Sequence, residues 1–347
     1  MVKLKDVAEK AGVSIATVSL VLNNRSKAIK ISHATREKVL ATANELGYSP
    51  NTYARALRTR KSNVIGILAF DILDPYCANV IRGAGEVINA NNFFVLLSDL
   101  QNDDLKLRSF IKKISRQKLS GILILASSLQ IDDGIIYDIL QHHIPFVIIG
   151  REVANPLIPT IATDSITGAY LAVQHLIELG HREIAFILGP RNYIDSLQRF
   201  RGIKKALEEY NIPLDEELVA EERKAGWAPE SGYEAMKELL KRKKRFTALF
   251  TFDDISAFGA IRAIYEVGLR VPEDISVVGF DDLSASAYYN PPLTTIGYSM
   301  SNMGMKGAEI LLRLMDESTD NSKIQKILEE VRLIKRESSS AIRGAKQ

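Results

Sequence analysis

The chain has 347 residues with a net charge of +3, and its 46% hydrophobic and 25% charged content is ordinary for a soluble globular protein. Its length suits a small domain plus one or two larger ones, each able to bury a core. The single cysteine, Cys77, excludes an internal disulfide framework and a structural zinc site built from thiolates. The charged start lacks the apolar core of a signal peptide, and no apolar run approaches the roughly 18 residues that span a bilayer, so we expect a cytoplasmic protein.

Basic residues are concentrated at the N-terminus. Residues 1–62 contain 12 Lys or Arg and 4 Asp or Glu, a net charge of +8. Because the whole chain carries +3, residues 63–347 sum to −5. This asymmetry is typical of a nucleic-acid-binding head on a neutral or acidic body.

The first 22 residues predict two short helices joined by a turn. Gly12 breaks the first helix, and the Ser14 hydroxyl can cap the second. The apolar positions recur at helical spacing and comprise Leu4, Val7, Ala8, Ala11, Val18, Val21 and Leu22. Two ordinary helices of an all-helical core would show the same pattern, but the positive charge favours a helix-turn-helix. Ala16, Ser19 and Leu20 would then point away from the core.

A third helix and a basic linker follow. Ser32 can start the helix, and Gly47 is the expected left-handed stop. The segment from Ser49 then reads SPNTYARALRTRKS, with too little apolar surface for a stable isolated helix. We predict that it orders only in a complex, with a flexible basic linker as the alternative.

From Asn63 the pattern changes to apolar strands that alternate with amphipathic helices. Seven continuous apolar runs are expected as strands: NVIGILAF, FFVLLSD, GILILAS, PFVIIG, EIAFILG, TALFTF and ISVVGF. Helices are expected near 76–91, 103–117, 132–142, 165–179, 196–210, 229–243 and 254–267. Such runs indicate a sheet covered on both faces, hence a parallel α/β layer. The fold class is therefore a helical head followed by an α/β core of two doubly wound halves.

Polar residues follow the ends of the predicted strands, where ligands bind in such folds. They comprise Asp71, Asp74, Tyr76, Arg151, Asp195, Arg199, Asp253, Asp254, Asp281 and Asp282. Trp227, the only tryptophan, lies in a polar loop. A ring stacked on an aromatic side chain, with hydroxyls bound by Asp and Arg, describes a sugar. Each residue has a plainer alternative: Asp254 and Asp282 could cap helices, Arg199 could lie on the surface, and Trp227 could be packed in its loop.

Several motifs together resemble the lactose/galactose repressor family. The head contains VSIATVS, TREKV and LGYSPNTYARAL, and the body contains DILDPYCANVIRGAGE, QRFRGIKKAL and VPEDISVVGFDD. The resemblance implies a periplasmic-binding-protein-like core and a transcriptional repressor, controlled by a small effector such as a sugar. A corepressor-dependent regulator of purine or global carbon metabolism is the alternative.

The resemblance also implies a domain plan. The DNA-binding domain would occupy 1–48, the hinge helix 49–62 and the core 63–340, with a disordered tail at 341–347. The chain would cross between the halves three times, so that the first half holds 63–161 and 293–324 and the second holds 162–292 and 325–340. Helices 76–91 and 254–267 would form a homodimer, which supplies two heads for a pseudo-palindromic DNA operator.

The resemblance also assigns DNA contacts to residues of the head. The resemblance places Ile15, Ala16 and Leu20 toward bases in the major groove, and Ser14, Thr17, Ser19 and Asn23 near phosphates. The hinge residue Leu57 would wedge into the minor groove, beside Ala54, Arg55 and Arg58. Because Leu20 cannot hydrogen-bond a guanine edge, we expect it to contact thymine methyl groups.

The effector residues that the strand ends and the resemblance favour are Tyr76, Arg151, Asp195, Arg199, Trp227, Asp253, Asp281 and Tyr298. No enzyme, metal or cofactor is expected. GAGEVI lies inside a predicted helix and is no dinucleotide fingerprint, and no Walker A or GxSxG motif occurs. The rival hypothesis is a solute-binding protein or enzyme with an incidental basic head.

Overall fold

The computed structural model describes residues 2–22, 31–48, 63–117, 119–222, 228–316 and 326–342. The chain divides into two compact units, Met1–Asn63 and Val64–Gln347. Three helices belong to the first unit: α1 (Leu4–Ala11), α2 (Ile15–Leu22) and α3 (His33–Glu45). Among these described residues, no helix is long and apolar enough to cross a membrane.

The second unit alternates strands and helices. Its strands are β1 (Val64–Ala69), β2 (Phe94–Asp99), β3 (Gly121–Leu125), β4 (Phe146–Ile149), β5 (Thr160–Thr163), β6 (Ile184–Leu188), β7 (Val219–Glu221), β8 (Ala248–Thr251), β9 (Ser276–Asp281), β10 (Thr294–Gly297), β11 (Lys326–Glu329) and β12 (Arg332–Ile334). Its helices are α4 (Pro75–Ala90), α5 (Asp104–Gln117), α6 (Asp133–Gln141), α7 (Ser165–Glu178), α8 (Ile194–Glu209), α9 (Pro229–Lys241), α10 (Asp254–Glu266) and α11 (Met300–Met315). Short 3-10 turns cover Glu216–Leu218 and Ser284–Ala287.

The head has its own small core. The buried residues come from all three helices and comprise Val7, Ala8, Ala11, Val18, Val21, Val39 and Ala43. Gly12 ends α1 in the left-handed conformation, with φ of 64°. The Ser14 hydroxyl accepts a hydrogen bond from the Thr17 amide at 3.1 Å, which caps α2. The predicted helix-turn-helix is confirmed.

The larger unit contains two six-stranded sheets. The strand order is β11-β5-β4-β3-β1-β2 in the first sheet and β12-β10-β9-β8-β6-β7 in the second. Among the described strands, β12 pairs antiparallel with β10, and the other pairs are parallel. Helices cover the sheets, and β1, β3, β4, β6 and β8 are buried along nearly their whole length. This confirms the predicted fold class. One strand differs from expectation: β2 lies at a sheet edge, and its Phe94 side chain is 63% exposed.

The strand pairing corrects the predicted crossings between halves. Residues 293–324 were assigned to the first half, yet β10 pairs with β9 of the second sheet. Residues 325–340 were assigned to the second half, yet β11 pairs with β5 of the first. The chain therefore crosses after β5, after β10 and after β11, later than predicted at 293 and 324. Both strands are only four residues long, and such short segments do not specify by themselves which sheet they join.

The C-terminal segment packs against the second half. The Ser338 side chain is fully buried, and its hydroxyl donates to the Val277 carbonyl at 2.6 Å. The Ile342 amide donates to the Leu179 carbonyl at 3.0 Å. The ordered fold thus reaches Ile342, beyond the predicted boundary at 340, because backbone and serine hydroxyl groups find partners there.

Candidate functional site

The exposed side of α2 carries the residues predicted to meet bases. Ile15 is 49% exposed, Ala16 is exposed, and Leu20 is half-buried. Thr17 shares a hydrogen bond with the Ser14 hydroxyl at 2.9 Å, so these two predicted phosphate contacts are preorganised beside the helix start. Ile15, Ala16 and Leu20 thus lie outside the buried core of the head, and their contacts with bases stay predictions.

Some predicted site residues lie outside the described residues. They are Asn23 in the head, Ala54, Arg55, Leu57 and Arg58 in the hinge, and Trp227 in the core. Their roles stay predictions from the sequence.

A cleft lies at the carboxyl ends of the parallel strands of both sheets. Its lining comprises Phe70, Asp74, Tyr76, Ser127, Ser128, Gly150, Thr163, Pro190, Tyr193, Asp195, Arg199, Glu222, Phe252, Asp253, Ile255, Asp281, Leu283 and Tyr298. Because each strand of a parallel sheet ends on the same edge, residues distant in sequence converge there.

Arg199 is the cation of this described lining. Its side chain extends from α8 and is only 6% exposed, with its guanidinium carbon 3.7 Å from the Phe280 ring centroid and 4.5 Å from that of Phe252. It donates to the Phe252 carbonyl and, at 3.5 Å, to Asp281. Two stacked rings hold the guanidinium plane in one orientation, so the alternative of a surface cation is wrong.

Asp281 is fixed from two sides. Its carboxylate accepts the Tyr298 hydroxyl at 2.9 Å in addition to the Arg199 contact. Its φ of 112° and that of 50° at Asp282 turn the chain sharply after β9. Burial raises the pKa of Asp281 well above its usual value, although the Arg199 charge opposes this shift. A non-glycine residue held at positive φ indicates a functional constraint on this loop.

Asp253 and Glu222 share one hydroxyl. The Ser256 hydroxyl lies 2.6 Å from Asp253 and also contacts Glu222, while the Ser256 amide donates to Asp253 at 2.7 Å. A hydroxyl has a single proton to donate. A protonated carboxyl group must donate the second contact, and burial raises the pKa of Glu222 well above its usual value. We therefore infer that Glu222 holds a proton.

The neighbouring acids Asp254 and Asp282 have structural roles. Asp253, not Asp254, caps α10. Asp254 is fully buried and accepts the Leu283 amide at 2.9 Å and the Ser286 and Thr295 hydroxyls at 2.5 Å each. Asp282 pairs with Arg336 at 2.5 Å. Neither is a helix cap, and together they hold the loop that positions Asp281.

Tyr76 and Asp195 also line the cleft, whereas Arg151 does not. The buried Tyr76 hydroxyl has no hydrogen-bond partner among the described residues. Burial raises the pKa of Asp195 to about 6, and the charges of Arg199 and Arg151 oppose that shift. Arg151 thus acts on the cleft through its charge, while its guanidinium donates to the Leu129 carbonyl.

The sequence missed two acids of the lining as effector residues. Glu222 follows the short strand β7, which has no apolar run long enough to be predicted, so no strand end pointed to it. Asp74 was noted after the first strand but not selected. It caps α4 by accepting the Tyr76 amide at 2.8 Å, and burial raises its pKa to about 7. Asp-Pro at a helix start was the available signal for its position.

The raised pKa of Asp74 predicts a pH effect of defined sign. The folded state binds its proton more tightly than the unfolded state, so between about pH 4 and 7 stability falls as pH rises. Asp74→Asn keeps a capping side chain and removes the charge. We expect the variant to gain up to about 4 kcal/mol over the wild type at pH 8, from about 1.36 kcal/mol per pKa unit, and nothing at pH 4. Urea unfolding at both pH values measures this.

Asp132→Asn is the matched control, because Asp132 also caps a helix, by accepting the Ile135 amide at 2.8 Å. The backbone hydrogen bond from Ile135 and the contact with Arg108 lower its pKa. The sign is reversed, so this variant should lose stability at pH 8. Equal effects of the two substitutions would contradict the assignment.

The described residues contain no cluster of three His, Cys, Asp or Glu arranged to hold a metal ion. The lining of the cleft offers hydrogen-bonding groups and aromatic rings to a ligand.

Comparisons with known proteins agree with this architecture. Residues 3–51 match the family described as "Bacterial regulatory proteins, lacI family", and residues 173–339 match the "Periplasmic binding protein-like domain". The chain is 37% identical over 314 residues to the HTH-type transcriptional repressor PurR of Haemophilus influenzae (strain PittEE), covering 90% of each chain.

Two solved structures are similar over nearly the whole chain. One is the lac repressor dimer bound to operator and the anti-inducer ONPF, with a TM-score of 0.84 and 30% identity over 98% of this chain and 99% of that one. The other is the complex of the transcriptional regulator CelR with cellobiose, with a TM-score of 0.72 and 30% identity over 97% of this chain and 100% of that one.

Proposed function

Because the chain belongs to the lacI family of bacterial transcriptional regulators, we propose that a sugar bound in the cleft controls its affinity for a DNA operator. It is a sequence-specific DNA-binding regulator and not an enzyme. The observation that supports a sugar is the lining itself. Carboxyl groups and one stacked guanidinium surround a cavity whose walls include Phe70, Tyr76 and Phe252.

This lining suits a polyol for a physical reason. Hydroxyl groups donate to carboxylates and accept from arginine, and the C–H face of a sugar ring packs on an aromatic side chain. Asp281, Asp253 and Asp195 would accept from hydroxyls, and Arg199 would donate to a ring or hydroxyl oxygen. Trp227 would supply a further stacking face, as predicted from the sequence.

A purine corepressor is the second candidate. It is supported by the relatives named PurR, and by the aromatic rings of Phe70 and Tyr76, which are stacked with centroids 6.0 Å apart. A purine would need a stacking partner and a few directed hydrogen bonds. The many carboxyl groups of the lining favour the sugar over the purine.

DNA would be contacted as the sequence predicts. Ile15, Ala16 and Leu20 would read bases in the major groove, and Leu57 would enter the minor groove. Family members bind operators and small effectors and act as dimers. For this chain we propose a homodimer through α4 and α10, acting in the cytoplasm on a pseudo-palindromic site. Domain boundaries at 48 and 62 remain part of this proposal.

The proposal is tested with full-length protein. Operators selected from random DNA should bind with a steep dependence on salt, because phosphate contacts release counterions. Monosaccharides, disaccharides and nucleobases are then screened for a rise in melting temperature of the core. A sugar that raises it should also change operator affinity, by about 1–3 kcal/mol of coupling free energy. Stabilisation by a nucleobase and not by any sugar would reverse the choice of effector.

A further inference from the structure

The lining of the cleft holds more acidic than basic side chains. Five acids line the cleft, namely Asp74, Asp195, Glu222, Asp253 and Asp281, whereas Arg199 is the cation of the same described lining. The Arg199 guanidinium already contacts Asp281 and stacks between two rings. Burial raises the pKa of Asp74, Asp195, Glu222 and Asp281, so these acids hold protons that a bound cation could replace.

Glu222 and Asp253 are two neighbouring acids of this lining. Both carboxyl groups contact the same Ser256 hydroxyl, and Glu222 is only 9% exposed. The ion pairs of the described structure give neither acid a basic partner, and the Arg199 charge acts on Glu222 only from a distance. A protonated amine between the two acids could donate a hydrogen bond to each carboxyl group.

The acids are spread around the cleft and do not converge on a point. They follow five different strands, and no metal-binding cluster occurs within the described ranges. A metal ion needs several ligand oxygens within about 2.6 Å of one centre. A cation carried on a larger organic molecule could contact one pair of these acids while the rest of that molecule meets other residues of the lining.

The cleft also contains buried polar groups without a hydrogen-bond partner among the described residues. The hydroxyl of Tyr76 and the Nε of Arg199 have no hydrogen-bond partner among the described residues, and their side chains are 7% and 6% exposed. Buried polar groups without partners are rare in folded proteins. A hydroxylated ligand would satisfy both, which a simple alkyl amine would not.

We propose that the effector is an amino sugar, whose protonated amine binds between Glu222 and Asp253 and whose hydroxyls meet Tyr76 and Arg199. This rests on the proposed function, because it names the effector of the same cleft. The charged amine replaces the proton held by Glu222. The bound cation thereby allows both carboxyl groups to be ionised next to each other.

The test compares sugars that differ only in the amine. Isothermal titration of the full-length protein at pH 6 uses D-glucosamine and D-galactosamine against D-glucose and D-galactose, with N-acetyl-D-glucosamine as a neutral derivative. The amine should bind at least about tenfold more tightly than its neutral partner, which is about 1.4 kcal/mol. Spermidine tests whether an amine without hydroxyls suffices, and tighter binding of spermidine would overturn the proposal.

Glu222→Gln tests the site itself. The substitution keeps the size of the side chain and an acceptor for the Ser256 hydroxyl, but it removes the charge. The tenfold preference for the amine should fall to about twofold or less. Glu221→Gln is the matched control, because the neighbouring Glu221 is 32% exposed and pairs with Arg191 at 2.5 Å on the surface. That variant should keep the preference.

Proton linkage separates this proposal from its main competitor, in which a neutral sugar binds a cleft of protonated acids. Ten groups that titrate or carry charge lie in or act on the cleft: Asp74, Tyr76, Arg151, Tyr193, Asp195, Arg199, Glu222, Asp253, Asp281 and Tyr298. Amine affinity should rise from pH 5 to 7, since proton loss from the acids favours a cation. A neutral sugar that binds with proton uptake would weaken over the same range.

The outcomes are distinct. Equal or tighter binding of the neutral sugar, or an unchanged preference in Glu222→Gln, would overturn the amino-sugar proposal and leave the sugar-controlled regulator intact. If no sugar of either kind bound while a nucleobase did, the proposed function itself would fail.

Discussion

Replacing Arg199 with alanine should abolish the response to effector while leaving basal operator binding within about twofold of the wild type. Truncation of one partner of a buried ion pair typically costs about 3–5 kcal/mol, because the other charge is left unpaired. Here the partner is Asp281, whose side chain is 15% exposed. That cost falls on the stability of the fold, whereas the effector loses its charged hydrogen bonds to the guanidinium, about 1.5–3 kcal/mol each, so Kd should rise by at least about tenfold.

The effect should exceed the loss of a charge alone. Arg199 also fills the space between Phe252 and Phe280 and anchors the chain after β8 through the Phe252 carbonyl. Arg199→Lys keeps the positive charge but not the planar fork or the stacking. We expect it to fold, to bind effector more weakly than the wild type by about tenfold or more, and to retain a partial response.

Arg270→Ala is the control for these variants. Arg270 belongs to an exposed pair with Asp274 at 3.1 Å, where its side chain is 60% exposed, and such pairs contribute about 0–1 kcal/mol. Two quantities are measured for each variant: the affinity for effector, and the affinity for operator with and without effector. If Arg199→Ala responded like Arg270→Ala, the cleft would not be the effector site.

Val18→Asp should eliminate operator binding while the core still binds effector. Val18 is fully buried among Val7, Ala11 and Val39 in the head core. A unit of some 60 residues has a total stability of about 3–9 kcal/mol at 0.05–0.15 kcal/mol per residue. An unpaired carboxylate in that core costs several kcal/mol, so the head should unfold and operator affinity should drop by more than about 100-fold.

Leu40→Asp is the matched control, because Leu40 lies on α3 of the same unit and is 44% exposed. It introduces the same negative charge without burying it. We expect a moderate loss that is reduced at low salt, as for one altered phosphate contact. The thermal shift caused by effector should be unchanged in both variants. Equal loss in the two would show that charge, and not the head core, is responsible.

Much of the architecture could be read from the sequence. The stripe of Val7, Ala8 and Ala11, the stop at Gly12 and the cap at Ser14 predicted the helix-turn-helix, because spacing and local caps determine short helices. The continuous apolar runs predicted the strands of two doubly wound halves. Strand ends then predicted that Arg199, Asp253 and Asp281 would share one cleft, and the structure brings them together.

Other features depended on the tertiary structure alone. The four residues of β10 and of β11 do not specify a partner by themselves, so only the folded chain decides that β10 joins β9 and β11 joins β5. The role of Glu222 depends on Ser256, which lies 34 residues away and contacts it only after β7 and α10 pack together. The shifted pKa values of the cleft follow from burial and from charges on other strands. Local sequence determines which elements form, whereas contacts between elements decide which side chains share a site and in what protonation state.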